Sequence, residues 1–138
     1  MGLTFEVPGE PKGNGRPRFT KIGHTYTDSE TKSYEQKIIA YYRNAFGAFR
    51  WSDKAFIRIK VTAHYPIPKS ATKAAVAAMQ SGGVLPSRKP DIDNVLKIVL
   101  DALNGVAYKD DSRVVSVEAD KVYSFTPKLV IELQGSEP

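Results

Sequence analysis

From Ala55 to Tyr65 the chain alternates without a break, with Ile57, Ile59, Val61, Ala63 and Tyr65 on one side and Phe56, Arg58, Lys60, Thr62 and His64 on the other. Successive side chains of a strand point to opposite faces, so this stretch predicts a long strand. One of its faces must be covered by helices, and the other is basic, either solvated or turned toward a polyanion. Pro66-Ile67-Pro68 ends it. His64 is one of two histidines in the chain, and a lone strand histidine reads as structural rather than catalytic.

The remaining elements are arranged around that strand. Leu3, Phe5 and Val7 alternate with polar residues and predict a first strand, stopped by Pro8-Gly9-Glu10-Pro11. Thr27 followed by Glu30 is a capping-box signal. Tyr34, Ile38, Tyr41 or Tyr42, Ala45 and Phe49 then recur at helical spacing. Ser70 to Gln80 is alanine-rich and predicts a short helix closed by Ser81-Gly82-Gly83, so that 70–83 reads as a helical insertion. Ile92, Val95, Leu96, Val99 and Leu103 mark a further amphipathic helix ending at Asn104-Gly105. Arg113 to Tyr123 and Leu129 to Leu133 read as strands joined in an antiparallel hairpin, with Gln134 to Pro138 as a frayed tail. Together these elements predict an α/β (α+β) fold. It is a single domain over residues 1–138, a mixed sheet of four to five strands with the two main helices on one face.

The chemistry is concentrated in Lys89-Pro90-Asp91-Ile92-Asp93-Asn94-Val95-Leu96-Lys97 and the later pair Asp110-Asp111. These acids stand out because the formal charge of the 138-residue chain is +5. A basic balance favours an anionic partner, nucleic acid first. Absence of cysteine excludes disulfides, thiolate metal sites and a cysteine nucleophile. No apolar run approaches the roughly 20 residues that cross a bilayer, and the N-terminus lacks a signal-peptide pattern, so the expected location is the cytoplasm without membrane attachment.

Pro90 predisposes Lys89 to an extended lead-in. Asp93 is then the expected N-cap, with Lys97 one turn above it. Asp91 and Asp93, joined by Asp111 across the intervening turn, have the donor chemistry for a divalent cation, and Lys97 can offset charge on a phosphate. The same Asp-x-Asp is also what helix capping and the macrodipole favour with no metal at all. Nearer the N-terminus, Lys12, Arg16, Arg18 and Lys21 fall within ten residues among Gly13, Gly15 and Pro17, with no acid between them. Arg88 and Lys89 precede the acidic motif. Glycine permits close backbone approach to phosphate and arginine forks onto it, although a plain solvated turn has the same composition.

The stretch 89–97, the following Leu100-Asp101-Ala102-Leu103-Asn104-Gly105, and Asp110-Asp111-Ser112-Arg113-Val114 resemble the signature of RusA-type Holliday junction resolvases. The likeness is strong over 88–115 and looser over the first strand, the basic loop and the long strand. It implies a RusA-like domain acting as a Mg²⁺-dependent endodeoxyribonuclease in DNA recombination and repair, with Mn²⁺ able to substitute. The enzyme would be a homodimer that resolves four-way DNA junctions by paired symmetric nicks. The implied metal ligands are Asp91, Asp93 and Asp111, with Lys97 as a catalytic lysine and Asp110 behind the third ligand. DNA backbone contacts fall to Lys12, Arg16, Arg18, Lys21, Arg88 and Lys89. Asp101, roughly 12 Å beyond Asp93 along the helix, is expected to pair with Lys97. The alternatives are a junction- or fork-binding protein without catalysis, and a metal nuclease of other branched DNA.

Overall fold

The computed structural model describes residues 2–14, 18–19, 25–26 and 29–138, with only the backbone at 18, 19, 25 and 26. The elements run β1 (Gly2–Pro8), β2 (Arg18–Phe19), β3 (Thr25–Tyr26), α1 (Ser29–Phe46), β4 (Phe56–Pro66), α2 (Lys73–Ser81), α3 (Ile92–Leu103), a 3-10 turn at Asp111–Arg113, β5 (Val114–Ser124) and β6 (Lys128–Ser136). A four-stranded mixed sheet has the order β1-β6-β4-β5, and β2 and β3 pair separately.

The alternation of β4 does what its sequence requires. Ile57, Ile59, Val61, Ala63 and Tyr65 are buried, together with Phe5 and Val7 of β1 and Leu129, Ile131 and Leu133 of β6. Against this face pack α1 and α3, which also pack on each other. From α1 come Tyr34, Ile38 and Tyr42, and from α3 come Val95, Ile98, Val99, Ala102 and Leu103. The opposite face carries Thr4, Arg58, Lys60, Ser116, Glu118, Glu132 and Gln134 around an open depression of about 390 Å³. No helix among the described residues is long and apolar enough to cross a membrane.

Three sequence expectations are corrected, and one falls outside the described residues. The stripe of α1 runs through Tyr42 and the half-buried Phe46, while Tyr41 and Phe49 remain exposed and Ala45 lies at the surface. The capping residue Thr27 lies outside the described residues. The last two strands form no hairpin: β6 inserts antiparallel between β1 and β4, and β5 pairs parallel with β4 on its other side. A parallel neighbour needs a long crossover, and the segment carrying α2 and α3 supplies it. The tail is not frayed either, because β6 continues to Ser136 and the Glu137 carboxylate accepts from the Ser52 hydroxyl.

Helix α2 starts with the Thr72 side chain accepting from Ala75 N–H and stops at Gly82, whose φ of 83° is left-handed. It packs on β5.

Candidate DNA-processing site

Helix α3 organises the candidate residues, and its entry differs in detail from expectation. Asp91, not Asp93, is the N-cap residue, extended at φ −68° and ψ 150°. Its carbonyl accepts from Val95 N–H at 3.1 Å, but its carboxylate makes no capping hydrogen bond to the helix. Instead it lies 2.7 Å from the Lys89 ammonium. The Lys89–Pro90 peptide between them is cis. Asp93 sits in the first turn, where the exposed N–H groups and the helix dipole favour an anion. Both Asp93 and Lys97 are exposed.

Around this helix start the chain assembles a basic rim. The Tyr65 hydroxyl at the end of β4 donates to the Pro90 carbonyl. The Lys121 ammonium lies 4.9 Å from the Tyr65 ring centre and the Arg88 guanidinium 5.9 Å. Lys121 also donates to the Arg88 carbonyl at 2.7 Å. Burial pushes the Tyr65 phenol up to about 12, with Arg88 opposing the shift and Asp91 adding to it. It is therefore a neutral donor at physiological pH. The segment after β1 lies against the same turn: Pro11 is buried, Lys12 pairs with Glu30 at 2.8 Å, and Asn14 N–H donates to the Asn94 carbonyl at 3.0 Å. Arg88 pairs with Glu10 at 2.8 Å. Between these pieces opens a cleft of about 390 Å³ lined by Gly13, Asn14, Lys89, Pro90, Asp91 and Asn94.

At the far end of α3 the acids keep different company. Tyr108 is fully buried and its hydroxyl donates to the Leu100 carbonyl at 3.1 Å. Asp110 caps the 3-10 turn by accepting from Ser112 N–H at 3.3 Å, and this bonding to Ser112 holds its carboxyl below the usual range. Asp111 is raised, first by burial and then by the charges of Asp101 and Asp110. Glu35 of α1 is raised by burial and by Asp101. Arg113 is occupied elsewhere, donating to the Lys54 and Ala55 carbonyls and lying 4.7 Å from the Phe56 ring centre.

The structure thus gathers Asp91, Lys89, Arg88 and Lys12 at the start of α3 and sets Asp93 and Lys97 on its first turns. Asp111 feels the charge of Asp101, and Asp101 lies ten residues and about 15 Å along the helix axis from Asp91. The expected Asp101–Lys97 ion pair does not form; the groups that feel the charge of Asp101 are Glu35, Asp111 and Tyr108. Among the described residues no three His, Cys, Asp or Glu side chains are grouped to hold a metal ion. As placed, then, the described carboxylates do not fit a three-ligand cation site. Arg16 and Lys21 lie outside the described residues, and Arg18 is described only as backbone in β2.

Sequence reasoning missed Tyr65, Lys121 and Asn14. The abrupt Tyr65-Pro66 end of the strand was a usable signal for the first. Lys121 reaches the rim only because β5 runs parallel to β4, setting it opposite Ala63.

Comparison with known proteins identifies relatives of the chain. The Bacillus subtilis (strain 168) protein named "Uncharacterized protein YqaN" is 32% identical over 142 residues, covering 96% of this chain and 95% of the relative. The profile of the family described as endodeoxyribonuclease RusA matches residues 8–134, taking in the segment after β1, all of α3 and the Asp110-Asp111 turn. With a match spanning nearly its whole length, this chain belongs to the RusA endodeoxyribonuclease family.

Proposed function

We propose that this protein is a divalent-cation-dependent endonuclease that resolves four-way DNA junctions by paired nicks, working as a homodimer with Mg²⁺ or, in its place, Mn²⁺. The observation that carries the reading is the family match over residues 8–134, which contains every residue assigned a role. The basic rim beside Asp91 supports it.

In this reading Lys12, Arg88 and Lys89, with Arg16, Arg18 and Lys21, hold the DNA backbone. Such contacts set register and orientation without reading sequence. Lys97 faces the scissile phosphate and offsets the negative charge that grows there in the transition state. Asp91, Asp93 and Asp111 are the carboxylates assigned to the cation, and holding it requires them to converge more closely than they do here. Tyr65 fixes the Pro90 carbonyl and hence the direction in which Asp91 leaves the turn. A two-fold pair of subunits would present two such sites to a symmetric junction.

The test is incubation of an end-labelled four-way junction with the protein in Mg²⁺ and in EDTA, alongside flap, linear duplex and single-stranded DNA of matching sequence. Paired, symmetric, EDTA-sensitive nicks in the junction alone are expected. Equal cleavage of flaps would move the substrate to other branched DNA. A second reading, junction binding without cleavage, is favoured by the absence of a gathered metal-ligand trio among the described residues. It predicts binding indifferent to EDTA and no product in either cation.

A further inference from the structure

Gly13 lies where the segment after β1 crosses the start of α3. A Cβ built on it would stand 2.9 Å from the Pro90 Cβ and 2.9 Å from the Asn94 Cβ. Neither atom can rotate away, since one belongs to a proline ring and the other is fixed by the helix backbone. The next residue closes the contact: Asn14 N–H donates to the Asn94 carbonyl at 3.0 Å. On the other side, Lys12 is tied to Glu30 of α1 at 2.8 Å and Pro11 is buried. The backbone at Gly13 therefore lies flush on the turn that delivers Asp91, and Gly13, Asn14, Lys89, Asp91 and Asn94 share one cleft. Gly13 is not among the glycines with positive φ. Its requirement is space, not conformation.

We infer that Gly13 is a positioning residue for DNA binding, the seat that holds the Lys12–Asn14 backbone against the Pro90–Asn94 turn and so sets the distance between the basic segment and Asp91. The inference rests on the DNA reading above and adds to it a residue with no charge and no chemistry of its own. A methyl group at position 13 would lift the segment off the turn, break the Asn14–Asn94 bond and move Lys12 away from Lys89 and Asp91. Because alanine is not conformationally strained here, it would otherwise be neutral or slightly stabilising through the unfolded state.

The experiment measures the Kd of a labelled four-way junction in EDTA over a range of salt, with thermal midpoints recorded in parallel. It compares the unsubstituted protein with Gly13→Ala, Asn14→Pro, Asn14→Ala and Gly47→Ala. Asn14→Pro removes the N–H that Asn14→Ala keeps. Gly47 has φ 64° and nothing within 4 Å of an added Cβ, so Gly47→Ala strains the backbone without touching the seat. For Gly13→Ala and Asn14→Pro, each phosphate that is no longer neutralised is expected to raise the Kd on the order of tenfold at about 0.1 M salt and to make the salt slope shallower. Their midpoints should fall only by the small amount that losing one hydrogen bond costs, less than for Gly47→Ala, and Asn14→Ala should bind more tightly than Asn14→Pro. Gly47→Ala should lower the midpoint and keep the Kd. Parent-like Kd and slope in Gly13→Ala and Asn14→Pro would overturn the inference. So would weakened binding that merely tracks a fall in midpoint. Failure of the unsubstituted protein to bind any junction would overturn the DNA reading itself, and with it this one.

Discussion

The two ends of α3 carry the same residue type in opposite electrostatic settings. At the start, Asp91 has Lys89 at 2.7 Å and Asp93 sits in the first turn, where the helix dipole favours it. At the end, Asp101 lies where the dipole is negative, and Asp111 and Glu35 are raised partly by its charge. Asp91 at one end has a cation against it, whereas Asp111 and Glu35 at the other are raised on balance despite the Tyr108 hydroxyl and Lys32. A carboxylate can be part of a cation site in either setting, but for different reasons. The first offers an ordered anion beside a basic rim, and the second offers stored repulsion that a bound cation would relieve.

The sharpest way to break the comparison is to neutralise one acid at each end. Asp91→Asn is expected to lower junction nicking by on the order of a thousandfold, the scale of losing a group that acts on transition-state charge, while binding holds or tightens. Asp101→Asn should nick near the parent rate. If Asp111 joins Asp91 in the reacting complex, Asp111→Asn should lose as much as Asp91→Asn, and the double variant little more, since groups acting as a unit are not additive. Single-turnover cleavage of labelled junction measures all of these. Normal cleavage by Asp91→Asn would end the assignment.

The next effect separates the two tyrosines that hold the ends of α3. Tyr65→Phe removes the bond to the Pro90 carbonyl and Tyr108→Phe the bond to the Leu100 carbonyl, each expected to cost about 1 kcal/mol in chemical denaturation. Tyr65→Phe should slow nicking through the turn that delivers Asp91, because its partner carbonyl directly precedes that residue, and Tyr108→Phe should slow it only if Asp111, which the Tyr108 hydroxyl also bonds, takes part. Parent-like nicking by Tyr108→Phe beside a slowed Tyr65→Phe would restrict the site to the start of α3.

The smallest effect is one of pH. A carboxyl whose folded pKa lies above its ordinary 3.8, as for Asp111, binds protons more tightly in the folded state. Its contribution is most favourable below the ordinary value and turns into a penalty as pH rises through the raised one. Asp101→Asn should therefore raise the thermal midpoint at neutral pH, by the equivalent of under about 1 kcal/mol as for other exposed charge pairs. The gain should shrink as pH falls toward 4. A midpoint lowered at neutral pH would show that Asp101 has a favourable partner instead.

How much of this was legible beforehand depended on the range of the interaction. The strand at 55–65 and the apolar stripe of α3 are written in periodicity, and both formed with the expected faces. The acidic motif and its basic surroundings were equally plain. Legibility failed where neighbours far apart in sequence decide. Leu129 to Leu133 is the same alternating stretch whether it pairs with β5 or inserts between β1 and β4, and nothing local chooses between them. Asp91 and Asp93 are both good capping residues, and the tertiary ties of Pro90 to Tyr65 and of Lys89 to Asp91 accompany a helix that starts one residue after Asp91. Asp111 was expected to join Asp91 and Asp93, but no three acids are grouped to hold a metal among the described residues, and burial and the charge of Asp101 raise the Asp111 carboxyl.

The insertion of β6 has a consequence for the order in which the molecule assembles. The segment from β4 through α3 to β5 is joined by a crossover of moderate length, whereas β1 and β6 pair Gly2 with Gln134, closing a loop of about 130 residues. Such a closure costs on the order of 4 kcal/mol of chain entropy, and pairings so distant in sequence form slowly. The cleft beside Asp91 straddles these two timetables. Its floor, at Pro90–Asn94, belongs to the crossover, and its rim, at Gly13 and Asn14, follows directly on β1. A refolding chain is therefore expected to bury its core stripe on α3 before it completes the cleft, so that recovery of DNA binding in stopped-flow refolding should lag behind recovery of helix.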